Sequence, residues 1–287
     1  TRWWWPGNAV TKEGISYQLE QMHEKGIGGV EIMSFISVYE KGNIDYLSDE
    51  FLEMLKYAVS EAKRLGMEVS ITFGPGWLFG GYWVEPKDRI KALEFTVTDV
   101  DGGNKYEGWL SRDWGKGELE AVIAGRLVGE NKIEFESLTY LTDKVREDSK
   151  AKPAVSDDGQ ADWISWDVPE GKWRIMNFRL KDTGQIASHQ NFEPTNWVVD
   201  HLNKGAMQRY CNYLGGKFYE AFGDEFGKTV DSMFSDSFEH AAYYPKLLWG
   251  TGVTKGFKKY SGYDMKLYLP GLIYDIGDVT PRLRYDV

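Results

Sequence analysis

The stretches GIGGVEIMSF (Gly26–Phe35) and GMEVSITF (Gly66–Phe73) each leave a glycine and run into apolar, β-branched residues. Ahead of the first, Thr11 is a candidate N-cap for a helix whose Ile15, Leu19 and Met22 share one face, with Gly26 as its stop. Ahead of the second, Ser48 caps a helical pattern of Phe51, Leu52, Leu55, Ala58, Val59, Ala62 and Leu65 that stops at Gly66. WWWPG (Trp3–Gly7) is a further short apolar run ended by a Pro-Gly turn. Strand, helix, glycine, repeated twice and closed by a third strand, is the pattern of parallel βα units. The right-handed crossover rule makes the strands neighbours in one parallel sheet.

From about Ile90 to Leu180 the texture changes to alternating runs, LEFTVTDV, ELEAVIAGRLV, WISWDV and KWRIMNFRL, separated by DGG, SDDG and VPEGKW. Pro presets φ and Gly relaxes it, so Pro169-Glu170-Gly171 reads as a hairpin turn within an antiparallel β insert. The βα pattern then resumes. TNWVVD (Thr195–Asp200) reads as a strand, Asn203 caps a helix through Tyr210, Leu214, Phe218 and Phe222, and Val230–Phe234 is the next strand. This divides the chain into first barrel units at 1–89, an inserted antiparallel β domain at 90–180, and a barrel continuation at 181–287. About five barrel-type strands, near Trp4, Val30, Val69, Trp197 and Phe234, fall short of the eight that close a (β/α)8 TIM-type barrel. The fold is then either a smaller open α/β sheet or, as the preferred reading, the N-terminal part of an incomplete TIM-type barrel.

Composition narrows the ligand. Asp plus Glu number 44 against 34 Lys plus Arg, a net charge of -10 that argues against nucleic acid as partner. No run reaches the ~20 apolar residues of a membrane span, and a start at Thr1 without Met is expected of a chain processed or cut from something longer. Cys211 is the one cysteine, which excludes an internal disulfide and suits a packing role. The four His show no zinc spacing; a metal, if any, is a hard cation such as calcium. GPGWLFGG lacks the Lys-Ser/Thr ending of a phosphate loop. Aromatic residues make up 15% of the chain, and several Trp sit beside Gly and Pro, as in clefts where flat rings pack on sugar C–H faces.

A parallel α/β site lies at the carboxyl ends of its strands. Those ends carry Glu31, the Trp77 and Trp83 loop, Asp200 with His201, and Asp236 with Glu239. Carboxylates beside tryptophans are the inventory of glycoside cleavage, where one acid protonates the leaving oxygen and another activates water or attacks the sugar. Each also has a structural reading: Glu31 as an ion-pair member, Asp200, Asp236 and Glu239 as caps.

RWWWPGNAVTKEGI, GIGGVEI, EAKRLGMEVSITFGPGWLFGGYWV, VVDHLNKGAM, FSDSFE, GYDMKLYLP and RLRYD together resemble, in order, the N-terminal catalytic region of glycoside hydrolase family 106, the α-L-rhamnosidases. The resemblance implies a (β/α)8 barrel with appended β domains, inverting hydrolysis of terminal α-L-rhamnosides, calcium at the site, a rhamnose-containing oligo- or polysaccharide as substrate, and a longer polypeptide. It carries Glu31, Asp236 and Glu239 over as candidate catalytic residues, and Trp4, Trp77, Trp83 and His201 as candidate sugar contacts, to which the strand-end reading adds Asp200. The acid and the base are not distinguished, and one of them is expected beyond RLRYD. An extracellular or periplasmic location goes with that substrate. A noncatalytic carbohydrate-binding module and another glycosidase on a related barrel remain open.

Overall fold

The computed structural model describes residues 1–110, 117–147, 162–189, 195–238 and 247–287. The chain divides into two compact units, Thr1–Ile90 with Thr183–Pro245, and Lys91–Asp182 with Lys246–Val287.

The first unit is built on a parallel four-stranded sheet: β1 (Arg2–Pro6), β2 (Gly29–Phe35), β3 (Glu68–Thr72) and β4 (Val230–Phe234), in that spatial order. Helices α1 (Lys12–Glu24), α2 (Asp49–Leu65) and α3 (Lys204–Phe222) connect successive strands. Their ends follow local chemistry. Thr11 and Ser48 accept from the amides of Gly14 and Phe51, Asn203 accepts from Gly205 and Ala206, and Gly66 closes α2 at φ 70. Trp3, Trp5, Val30, Ile32, Val69 and Ile71 point into one helix-covered core with Leu19, Leu55, Ala62, Leu214 and Phe218. Burying side chains of this size stabilises by about 1.5–3 kcal/mol each, so the core fixes which face of every strand is covered. The sheet is open and curled, a half-barrel of four strands.

The fourth parallel strand is therefore Val230–Phe234. Trp197–Val198, expected as a barrel strand, instead pairs antiparallel with Gly80–Gly81 in a separate two-stranded sheet. Gly80 makes that approach possible, because a Cβ there would lie 2.8 Å from the Trp197 carbonyl oxygen.

In the second unit Lys172–Asp182 pairs antiparallel with both Lys91–Asp101 and Glu118–Gly129. Lys105–Trp109, Asp162–Asp167 and Val145–Glu147 form a three-stranded sheet of their own. Pro169-Glu170-Gly171 is thus not a hairpin. Asp162–Asp167 and Lys172–Asp182 lie in different sheets, and each pairs with its own partner on either side of Gly102-Gly103. Two neighbouring strands turn the same corner together, tied by Gly102 N–H to Gly171 O at 2.7 Å and Gly103 N–H to Val168 O at 2.9 Å. Residues 247–287, expected to continue the barrel, join this unit instead: Leu247–Leu248 pairs with Leu93 and Ala92, and Trp249, Phe257, Leu269 and Leu283 pack with Met176 and Phe178. The SDDG turn lies outside the described residues.

The loop after β1 is tightly constrained. Gly7 has φ 61, and a Cβ on it would lie 2.1 Å from Asn43 Oδ1. Gly7→Ala is expected to lower unfolding stability by at least the ~1–2 kcal/mol of a left-handed L-residue. An unchanged urea midpoint would show that this loop relaxes without cost.

Candidate active site

Alternation along the strands separates two faces. With Trp3, Trp5, Val30, Ile32, Val69 and Ile71 taken by the helices, Arg2, Trp4, Glu31, Phe35, Ser70 and Thr72 share the concave face. In register, Arg2 sits opposite Glu31, and its Nε lies 2.9 Å from Glu31 Oε1. The same guanidinium reaches Asp236 Oδ2 at 3.9 Å, just past the end of β4. It also lies 4.6 Å from the Phe234 ring centroid and 5.3 Å from that of Trp4. These side chains are only 19–34% exposed, so the charges are partly desolvated and interact more strongly than a surface pair.

Around this face three polar atoms are buried without a hydrogen-bond partner: Glu31 Oε1, whose approach by Arg2 is close but not aligned as a hydrogen bond, Thr72 Oγ1 and Trp77 Nε1. Each belongs to a strand of the concave face or to the loop that leaves it. Buried polar atoms are normally satisfied, and one left unpaired costs about 1–3 kcal/mol, so a cluster of them points to a ligand or water.

Beside them runs an aromatic wall. Trp4 meets Phe35 edge-on at 4.8 Å, Phe35 stacks on His189 at 5.5 Å and 12°, and Trp77 lies 3.8 Å from His189 and 6.4 Å from Phe35. Under the wall, Ser34 Oγ donates to Asn8 Oδ1, and Asn8 Nδ2 donates to Ile44 O at 3.1 Å, which holds the first two strand ends together.

The expected site residues fall into groups. Glu31 and Asp236 come together on Arg2, with Trp4 and Trp77 in the adjoining wall. Trp83 does not join them: its ring packs with Tyr46, Tyr82, Tyr210 and Tyr213 over α3. Asp200 is wholly buried and accepts from Leu202 N–H at 3.0 Å, a local turn leading to the Asn203 cap. His201 stacks on Phe79 at 5.6 Å and meets Phe238 at 5.0 Å, which places it under the segment after β4. Glu239 lies outside the described residues. Arg2, Phe35, Thr72 and His189 were not anticipated. Alternation from Trp4 and Glu31 would have nominated Arg2 and Phe35, but nothing local marks His189.

The family model described as alpha-L-rhamnosidase matches residues 1–149 and 151–282, nearly the whole chain. The chain belongs to glycoside hydrolase family 106. Among solved structures, the rhamnosidase of Novosphingobium sp. PP1Y superposes with a TM-score of 0.75 at 17% identity, covering 99% of this chain and 42% of that one. A protein of Formosa agariphila provisionally named a beta-glucuronidase is 26% identical over 310 residues, which span all of this chain and 26% of that protein. The chain thus spans about two fifths of the one and about a quarter of the other.

Calcium, which family 106 implies, does not find a ligand set among the described residues. No cluster of three or more His, Cys, Asp or Glu fit to hold a metal occurs there, whereas calcium takes about six to eight oxygens. Glu31 and Asp236 face Arg2 instead. No helix of the described residues is long and apolar enough to cross a membrane.

In this family-106 chain, His201 Nδ1 lies 2.8 Å from Val199 O, and since a carbonyl only accepts, Nδ1 carries the proton. Burial, slightly offset by that bond, pushes the imidazole below its ordinary 6.5. On acidification the unfolded chain therefore takes up this proton before the folded one. Stability should fall as pH drops through about 6.5 toward the folded value and then level off. His201→Phe, which keeps a ring on Phe79, should flatten that part of the curve. Melting scans at about pH 7.5 and 5.5 check this, and equal slopes in both proteins would remove His201 as the cause.

Proposed function

We propose that the protein carrying this chain hydrolyses terminal α-L-rhamnosides by an inverting mechanism with two carboxylates, and that the four strands form the first half of a (β/α)8 barrel. The observation that carries the reading is the concave strand-end face, where Glu31 and Asp236 flank Arg2 beside the Trp4, Phe35 and Trp77 rings. Carboxylates and flat rings together suit a sugar, and family membership supplies the class.

The charge balance of the face favours a neutral sugar over a uronic acid. Among the described residues of the four strands, Arg2 is the one cation on this face, and it is engaged by two carboxylates, leaving the cluster at about one net negative charge. A glucuronate carboxylate would meet repulsion there, whereas rhamnose presents a methyl group that aromatic rings accept. This supports rhamnoside over the glucuronide suggested by the name of the Formosa agariphila relative.

A carboxylate against a guanidinium suits water activation or charge stabilisation better than proton donation. We assign Glu31 or Asp236 to that role, and the acid to Glu239 or to sequence outside this chain. Calcium, as the family implies, would take its ligands outside the described residues, and we place the protein outside the cytoplasm, acting on polysaccharide. A noncatalytic sugar-binding role is the second reading, favoured by the sharing of Arg2 between both described carboxylates.

The full-length protein should cleave an aryl α-L-rhamnoside at least about a hundredfold faster than the matching β-glucuronide, with β-rhamnose as the first product by NMR. Glu31→Gln, Asp236→Asn or Glu239→Gln should lower kcat by roughly 10²–10⁴ wherever the residue is the acid or base. Preferred glucuronide turnover would overturn the substrate. Full activity in all three variants would overturn the carboxylate assignment, and sugar affinity without turnover would favour the second reading.

A further inference from the structure

We propose that His189 is a specificity-determining sugar contact, its imidazole edge reading a ligand hydroxyl while Trp4 and Phe35 pack against the C–H face. The inference rests on the glycosidase reading above and adds a residue to that site.

His189 stands at the end of a pinned ribbon. Thr183 N–H bonds to Ile90 O at 3.1 Å, Val198 N–H to Gln185 O at 3.0 Å, Ala187 N–H to Asn196 O at 2.9 Å and Trp77 N–H to Ser188 O at 2.8 Å. Those rungs deliver the imidazole to one place, flat on Phe35 and against Trp77. The backbone there is left-handed, φ 55 at His189, and Leu78 beside Trp77 is left-handed too at φ 70. Such conformations are strained for residues with a Cβ and gather at ligand-binding positions.

The ring is stacked yet chemically unused. His189 is exposed, and among the described residues neither ring nitrogen makes a hydrogen bond. Next to it, Trp77 Nε1 is buried with no partner. An imidazole held in plane by two rings and free at its edge offers one donor and one acceptor in fixed directions, which suits a hydroxyl-bearing ligand.

The test separates stacking from hydrogen bonding in the full-length protein. His189→Phe keeps the ring, and His189→Gln keeps a donor and an acceptor. With an aryl α-L-rhamnoside, His189→Phe should raise KM on the order of tenfold, the scale of one lost hydrogen bond, with kcat and melting temperature nearly unchanged. His189→Gln should recover part of that loss. Titration of wild type with L-rhamnose should also shift the His189 ring resonance, identified by its absence from the variants. Wild-type KM in His189→Phe, or a His189 resonance that stays still while rhamnose binds, overturns this inference alone. A wild-type protein that neither binds nor cleaves the rhamnoside overturns the functional reading, and this inference with it.

Discussion

The two-residue period of β1 governs the first unit. Trp3 and Trp5 enter the helix layer, where Trp3 Nε1 donates to Gln18 and Trp5 lies 6.4 Å from Phe51, so Arg2 and Trp4 have to face the other way. Slipping the strand by one residue would put a guanidinium into the apolar core and two indoles on the open face. The burial of two tryptophans against the helices thus sets the composition of the concave face, and the parallel register carries the setting on to Glu31, Thr72 and Phe234.

Arg2 is the electrostatic centre of that face. In a chain of net charge -10, Glu31 and Asp236 share one partly buried cation. Contrast Lys12 with Glu53, whose side chains are 44% and 60% exposed and whose pairing stabilises little. Around Arg2 the Trp4 and Phe234 rings exclude water and strengthen both attractions.

How much of this could be read from sequence depended on the range of the interaction. Helix caps at Thr11, Ser48 and Asn203 and the stop at Gly66 are local hydrogen bonds or backbone preferences, and they appear where the residues suggest. Long-range pairing was opaque. WVV after Asn196 has the composition of a parallel strand, but only the bare Gly80–Gly81 partner decides that Trp197 runs antiparallel. Trp83 and Trp77 are six positions apart and of one residue type, yet Trp83 lies against Tyr213 of α3 while Trp77 meets His189. The PEG turn reads as a hairpin because local chemistry reports the bend and not the partner. Phe35 and His189 stack across most of the chain, and no spacing rule joins residues so far apart.

The connection from β3 to α3 shows how a site can tolerate a large insertion and use its return. A loop leaving the carboxyl end of a strand can lengthen at small entropic cost, since closure entropy grows only as the logarithm of length. The insertion departs after Ile90 and re-enters at Thr183, and those two residues are themselves joined, Thr183 N–H to Ile90 O at 3.1 Å. To the four-strand sheet, the Lys91–Asp182 segment is therefore equivalent to a short, closed turn. The chain beyond the re-entry is not neutral. From Gly184 it is laid rung by rung along Asn196, Val198 and Trp77 until His189 meets Phe35, so the segment that closes the insertion also completes the aromatic wall. A change in the inserted unit that left the Ile90–Thr183 bond intact would spare the wall, while one that loosened the ribbon would displace His189 first.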